Sequence, residues 1–189
     1  RVDIVRLLLT SKEIQINQAT EGGFTPLYVA CLNGRVDIVR LLLARKEIQI
    51  NQADKNGITP LSIACHEGRV DVVQLLLARK EIQINQAKEG GFTPLYIACQ
   101  KDRVDVVQLL LAREEIQINQ ATKSGATPLY IVCQDGHVKL INALLARKEI
   151  QINQALNDGT TPLCCVCQEG RVDVVQLLLA RKEIQINQA

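Results

Sequence analysis

Residues 25–53 read TPLYVACLNGRVDIVRLLLARKEIQINQA, and the remainder of the 189-residue chain is this stretch written again with few changes. A fixed period of this kind is typical of stacked supersecondary units. We therefore expect a repeat array, in which apolar side chains are buried in a row of interfaces between neighbouring units. The 34-residue period is set by Thr-Pro pairs that begin at Thr25, Thr59, Thr93, Thr127 and Thr161.

The first half of each unit predicts a short helix, which we call the inner helix. Thr25 suits an N-cap and Pro26 suits the first helical position, where its missing N–H leaves no hydrogen bond unmade. Leu27 and Cys31 lie four residues apart and therefore share one face of the helix. Gly34 follows at the point where a left-handed residue would end it.

The second half of each unit predicts an outer helix over residues 35–45. Apolar residues cover most of its circumference, which favours a helix packed on several sides. Asp37 is expected in its first turn and Arg45 in its last turn, where both charges complement the helix macrodipole.

A connector over residues 46–53 follows the outer helix. Ile48 and Ile50 alternate with polar neighbours, which predicts an extended segment with two buried anchors. Pairs such as Asn56-Gly57 then suit a tight hairpin that returns the chain to the next unit.

Taken together, the hairpin pairs, the TPL opening, the Ala-Cys pair, the glycine before the second helix and the leucine triplet resemble the ankyrin repeat. The resemblance covers the whole chain and implies an all-α solenoid of stacked helix-turn-helix units with short β-hairpin-like loops. The repeats are one residue longer than is usual in the family. The family's histidine after TPL is also absent, so its hydrogen bonds are not implied here; Tyr28, Ser62, Tyr96, Tyr130 and Cys164 take its place.

On this basis we expect one domain, residues 1–189, built from a single array. The first segment, residues 1–20, is a partial unit that carries an outer helix only. The following units are 21–54, 55–88, 89–122, 123–156 and 157–189.

Composition argues against several other functions. Lysine and arginine number 22 against 20 acidic residues, and aromatic residues make up 3% of the chain. Without a basic run or stacking aromatics we expect no nucleic-acid binding. The apolar runs are far shorter than the roughly 18 residues of a membrane span, so no membrane segment is expected.

The cysteines suggest reduced thiols. One cysteine recurs at the same place in each inner helix, and stacked helices lie about 8–10 Å apart. A disulfide needs Cα atoms within about 4.4–6.8 Å. We therefore expect a row of small buried thiols, and unpaired thiols favour a reducing, intracellular setting. The row is Cys31, Cys65, Cys99, Cys133 and Cys167.

No metal, cofactor or catalytic site is expected from the sequence. Cys164 and Cys167 form a C-x-x-C pair, but no second pair accompanies them at a zinc-like spacing. His66 and His137 stand at different places in their units, and neither lies in a catalytic motif. The sequence therefore favours a non-enzymatic protein.

Function must then come from what differs between units. The differences collect at the hairpin tips and at the ends of the inner helices. The resemblance implies that these positions line a concave groove that binds a protein partner, with apolar contacts from Phe24, Ile58 and Phe92. Neutral drift on an exposed surface would give the same pattern. The positions are Glu21, Phe24, Leu32, Asn33, Lys55, Ile58, His66, Glu67, Glu89, Phe92, Gln100, Lys101, Lys123, Ala126, Gln134, Asp135, Asn157, Thr160, Gln168 and Glu169.

A structural, self-associating array that forms an oligomer or filament is the alternative. The segment EIQINQA is identical in all six copies, including Gln49 and Gln52, which we expect to be exposed. A surface that tiles against copies of itself would explain that identity. Apolar residues such as Leu7 in the first segment lack a preceding inner helix, so we also expect the array to continue or to associate through its ends or flanks.

Asp102 departs from the repeat pattern. It occupies the position held by glycine in the other units, where the turn is expected to need a positive φ. The sequence therefore predicts a local defect, which Asp102→Gly would relieve.

Overall fold

The structure, a computed structural model, describes residues 2–11 and 14–186. Within these residues it contains eleven short helices and no strand, which confirms the all-α solenoid. The first outer helix is α1, Val2–Leu8. The inner helices are α2 (Pro26–Leu32), α4 (Pro60–His66), α6 (Pro94–Gln100), α8 (Pro128–Asp135) and α10 (Pro162–Gln168). The remaining outer helices are α3 (Val36–Leu43), α5 (Val70–Leu77), α7 (Val104–Leu111), α9 (Val138–Leu145) and α11 (Val172–Leu179).

The ends of the inner helices form as the sequence predicts. Thr25 is the N-cap of α2, and its Oγ accepts a hydrogen bond of 3.1 Å from the Tyr28 N–H. Gly34 has φ +62°, and the Arg35 N–H beyond it donates to the Ala30 carbonyl at 2.9 Å. This bond closes the helix in the manner of a Schellman motif, which requires the left-handed residue.

Inner helices stack on one another in a continuous row, and each outer helix of the later pairs packs on the inner helix of its own unit. Leu61 and Leu95 are each 1% exposed at the centre of this row. The core therefore runs the length of the array, since each inner helix buries its apolar face against its neighbours. None of the described helices has the length and apolarity needed to cross a membrane.

The connectors differ from the extended segments expected from the sequence. Residues 46–47 and 50–51 each form a turn. Ile50 is buried as predicted, whereas Ile48 is only partly buried. The Ile48 N–H donates to the Arg45 carbonyl at 3.3 Å, and the Gln52 N–H donates to the Gln49 carbonyl at 3.2 Å, which closes the turns. The side chain of the asparagine in the preceding connector also bonds to this connector.

This contact recurs down the stack and is called here the asparagine ladder. The Asn85 Nδ2 donates to the Glu115 carbonyl at 2.8 Å, and the Gln117 N–H donates to the Asn85 Oδ1 at 2.9 Å. Each asparagine thus satisfies one acceptor and one donor of the following connector. The asparagines of the ladder are Asn17, Asn51, Asn85, Asn119 and Asn153.

The role predicted for Arg45 is wrong. The helix α3 ends at Leu43, so Arg45 lies beyond its last turn. Its guanidinium instead donates to the Leu9 carbonyl of the preceding unit at 2.8 Å and forms an ion pair with Glu47 at 2.8 Å. The arginine therefore caps the end of the neighbouring outer helix and links two units. Arg79, Arg147 and Arg181 donate to the equivalent carbonyls of Leu43, Leu111 and Leu145.

Hairpins between the units are joined into a ribbon along one edge of the stack. The Lys88 N–H donates to the Phe92 carbonyl at 3.0 Å within one hairpin. The Lys123 N–H donates to the Gly90 carbonyl at 2.8 Å between neighbouring hairpins. Each hairpin tip is therefore positioned by the one before it.

Candidate partner-binding surface

The twenty residues that the sequence singles out for partner binding, from Glu21 to Glu169, lie at the hairpin tips and at the C-terminal ends of the inner helices; together they are called here the variable surface. The bonds between hairpins and the stacking of the inner helices place these positions side by side along the array. The stack thus brings residues from five units into one row.

Most residues of the variable surface are exposed or partly exposed, but Ala126 is not. Its side chain is 7% exposed and belongs to the apolar core, and its N–H donates to the Thr122 Oγ at 3.1 Å. Ala126 therefore offers little surface to a partner, and its contact with a partner stays a prediction. A methyl group here is too short to reach the surface that Phe24 and Phe92 occupy in their own units.

Two aromatic pairs form apolar points on this surface. The Phe24 ring lies 5.0 Å from the Tyr28 ring, and the Phe92 ring lies 5.2 Å from the Tyr96 ring in an edge-on arrangement. The tyrosines are each 5% exposed, whereas Phe24 is 39% exposed. Each phenylalanine therefore rests on a buried tyrosine, and the Lys88 Nζ lies 4.8 Å from the Phe92 ring centre, within range of a cation–π contact.

A buried tyrosine also positions the adjacent hairpin. Burial, together with the charge and hydrogen bond of Asp54, raises the pKa of Tyr28 to about 12, so its hydroxyl keeps its proton at neutral pH. The same Asp54 carboxylate accepts hydrogen bonds from the N–H groups of Asn56 and Ile58 at 2.9 and 2.8 Å. Ile58 is thereby held in place on the variable surface.

Polar residues at the ends of the inner helices make local contacts. The Asn33 Nδ2 donates to the Val29 carbonyl at 2.8 Å, and the His66 Nδ1 lies 2.8 Å from the Glu67 Oε1. Val29 is 42% exposed on α2, which has an inner helix on one side only in the described residues, whereas the equivalent Ile97 is buried in α6 between two inner helices.

Comparison with known families agrees with this architecture. A family model described as ankyrin repeats, in three copies, matches residues 1–54, 46–122 and 114–189. The chain belongs to the ankyrin repeat family. A search of the curated proteins found no match.

Ankyrin repeats generally mediate protein–protein interaction.

In this array the row of inner-helix cysteines is buried at four positions. Burial raises the pKa of the Cys31 thiol to about 12, and it raises that of Cys65 and Cys99 as well, so these groups stay protonated. Within the described residues, no cluster of three or more histidine, cysteine, aspartate or glutamate side chains is suited to a metal ion.

The expectation that Cys167 is buried like the other cysteines of the row is wrong. Cys167 is exposed, although Cys133 at the equivalent position is fully buried. The difference arises because α10 has an inner helix on one side only in the described residues, whereas α8 lies between two. Cys165 of the same helix is buried instead, against the preceding unit.

Asp102 has the backbone conformation that the sequence predicts, but it is not an isolated defect. Its φ is +50°, and among the described residues it is the only non-glycine residue with a positive φ. At Gly34, Gly68 and Gly136 the glycine is covered by an arginine of the next unit; a Cβ placed on Gly68 would lie 2.9 Å from the Arg103 Cδ. At Asp102 this arginine is replaced by His137, whose Nδ1 lies 3.7 Å from the Asp102 carboxylate. The two exceptions in the repeat pattern therefore accommodate each other.

We expect Asp102→Gly to raise the free energy of unfolding by roughly 0.5–1 kcal/mol, since the left-handed region is strained for residues with a Cβ. Adding His137→Arg should restore the contacts of the other units and should not reverse this gain. As the converse, Gly68→Asp should destabilise the array beside Arg103, and less so with Arg103→His. Urea denaturation gives the free energy of unfolding of each of these variants. A lower value for Asp102→Gly than for the parent chain would show that the contact between Asp102 and His137 outweighs the backbone strain.

Proposed function

We propose that this ankyrin-repeat chain is a non-enzymatic scaffold that binds a protein partner through the variable surface. The observation that carries the proposal is the separation of invariant from variable positions. Residues that hold neighbouring units together, such as Asn85, are the same in every copy, whereas the residues of the variable surface differ, and all of them except Ala126 are at least partly accessible to solvent. Residues at the exposed hairpin tips can therefore change, and with them the partner, without loss of the contacts that hold the stack together.

The chemistry of the variable surface suits a protein partner. Phe24, Ile58 and Phe92 offer apolar contacts, and charged residues including Lys55 and Glu89 surround them. Protein interfaces commonly have a few aromatic anchors within a polar rim, and the anchors supply most of the binding energy. The aromatic pairs on Tyr28 and Tyr96 are already packed, so little side-chain freedom is lost on binding.

The alternative of a self-tiling array rests on the invariance of the connectors, and this invariance has another explanation. Asn51 bonds to the backbone of the next connector, so its identity is required by the stack. Gln52 is only partly exposed, and its Oε1 is enclosed by protein. The asparagine of EIQINQA therefore needs no contact between copies of the chain to explain its invariance, whereas the Gln49 side chain is exposed and is not explained in this way. We favour the partner-binding scaffold.

Substitution of Phe24 and Phe92 together with alanine tests the proposal. A partner is first captured by crosslinking from cells that express the protein, and its affinity for the purified chain is then measured by calorimetry. We expect the double variant to bind about tenfold more weakly or worse, because each aromatic anchor contributes more than about 1 kcal/mol.

Arg40→Ala on the outer helix α3 is the control, because Arg40 is exposed and lies away from the hairpins. Its affinity should match that of the parent chain. Since Phe92 also packs against the core, thermal melts must show that the double variant remains folded. Equal losses of affinity in the double variant and in Arg40→Ala would place the binding site elsewhere.

A further inference from the structure

The tips of four successive hairpins carry exposed charges whose sign alternates along the array. The first of these tips has Glu21, and the equivalent position in the next three units holds Lys55, Glu89 and Lys123. All four side chains are exposed, and among residues 2–11 and 14–186 none of them takes part in an ion pair. These four residues are called here the charge row.

Backbone hydrogen bonds between the hairpins give the charge row a regular spacing. The Lys55 N–H donates to the Gly22 carbonyl at 3.2 Å. The Glu89 N–H donates to the Asn56 carbonyl at 3.3 Å, and the bond of Lys123 described above continues the series. Because the inner helices stack about 8–10 Å apart, successive charges lie at roughly that distance. Charges so far apart do not pair along the row, and they remain available to another molecule.

The residue before each charge of the row follows a related pattern. Asp54 occupies this position in the second hairpin and Lys88 in the third, whereas the first and fourth hairpins have threonine there. Reversing the order of the four hairpins therefore changes the sign of every charge within them. A surface with this property is complementary to a copy of itself that is related by a two-fold axis. The four hairpins are residues 20–24, 54–58, 88–92 and 122–126.

We propose that two copies of the chain associate through the charge row, about a two-fold axis between the second and third hairpins. Glu21 of each copy pairs with Lys123 of the other copy, and Lys55 pairs with Glu89. Each contact occurs twice, as in any dimer of this symmetry. The same rotation relates Ile58 to the other copy's Phe92, which adds an apolar contact beside the ion pairs.

The charge pattern favours a second copy over another protein, because the chain itself supplies the complementary charges at the required spacing. Two copies side by side in the same direction and in register would set like charges against each other, which is unfavourable, so the charges select the antiparallel orientation. Exposed ion pairs each contribute little. The association is therefore weak, and its affinity comes mainly from Ile58 and Phe92.

This dimer is separate from the function proposed above and does not rest on it. It also does not involve the invariant connectors, since the charge row lies on the hairpins. A dimer would cover part of the variable surface, so a protein partner that uses the same hairpins would compete with it.

Sedimentation equilibrium of the 189-residue chain under reducing conditions measures the association. We expect a monomer–dimer equilibrium at chain concentrations up to about 1 mM, as for a small interface. Raising the salt concentration from about 0.1 M to about 1 M should weaken the dimer several-fold, because the Debye length falls from about 10 Å to about 3 Å.

Lys55→Glu should raise the dissociation constant of the dimer about tenfold or more, because it sets like charges against each other at two symmetry-related contacts. Glu89→Lys should have the same effect. An equimolar mixture of the two variants should associate as well as the parent chain, since opposite charges then face each other again at both contacts. Lys80→Glu is the matched control, because Lys80 is an exposed lysine in a connector and the change in net charge is the same. It should leave the dimer unchanged.

Several results would overturn the proposal. A monomer at every concentration would do so, as would a dimer that Lys55→Glu leaves intact or that Lys80→Glu weakens equally. Failure of the two variants to associate when mixed would show that their losses arise from the fold and not from the charge row. Species larger than a dimer would also contradict it, because an interface of two-fold symmetry is closed. Since no other protein is present, these outcomes are independent of the test of the scaffold function.

Discussion

Leu110→Ala is expected to lower the free energy of unfolding by about 2–5 kcal/mol, the range for removing a large buried aliphatic side chain. Leu110 is completely buried in α7, where neighbouring outer helices pack on both sides. Its removal leaves a cavity that rigid flanking helices close only in part. The change is measured by guanidinium denaturation followed by circular dichroism.

Leu109→Ala is the matched control for this prediction. Leu109 precedes Leu110 in the same leucine triplet but is only partly buried. Its loss should therefore be clearly smaller than that of Leu110→Ala. Equal effects from the two leucines would contradict the orientation of α7 described here.

Asn85→Ala is expected to lower the free energy of unfolding by about 1–3 kcal/mol, because it leaves two backbone groups of the next connector without their partner. These groups are the Glu115 carbonyl and the Gln117 N–H. Asn85→Asp should have an intermediate effect. Its carboxylate can still accept from the Gln117 N–H, but it cannot donate to the Glu115 carbonyl.

Gln83→Ala separates the asparagine ladder from a general effect of changing the connector. The Gln83 side chain is exposed, and only its backbone N–H takes part in the ladder, as a donor to Asn51. We expect a change within about 0.5 kcal/mol, as for other surface substitutions. If Gln83→Ala destabilised the array as much as Asn85→Ala, the ladder would not explain the invariance of the connector asparagine.

Much of the fold could be predicted from the sequence because its strongest signals are local. The N-cap bond of Thr25 spans three residues, and the bond that closes α2 beyond Gly34 spans five. Such contacts need only the residues that are adjacent in the chain. The period, the two helices of each unit and the positive φ at position 102 all follow from signals of this kind.

The variable surface was predicted less completely. Repeat comparison identifies residues that differ, but it does not show whether a side chain is long enough to reach solvent. Ala126 differs from Phe92 and is buried, whereas Val29 resembles its equivalents and is exposed. The exposure of each residue depends on how neighbouring units pack, and the residue type at a single position does not reveal that.

The sequence by itself determined the repeat period, the presence of two helices in each unit and the left-handed residue that ends each inner helix, since these depend on contacts within about five residues. The tertiary structure alone decided the partners of Arg45, Asn85 and Leu110, and the different exposure of Cys133 and Cys167. The Arg45 bond spans 36 residues and the Asn85 bonds span 30 and 32. Identical residues in successive units thus acquire different environments, because in a stacked array the burial of a side chain is set by the unit that lies next to it.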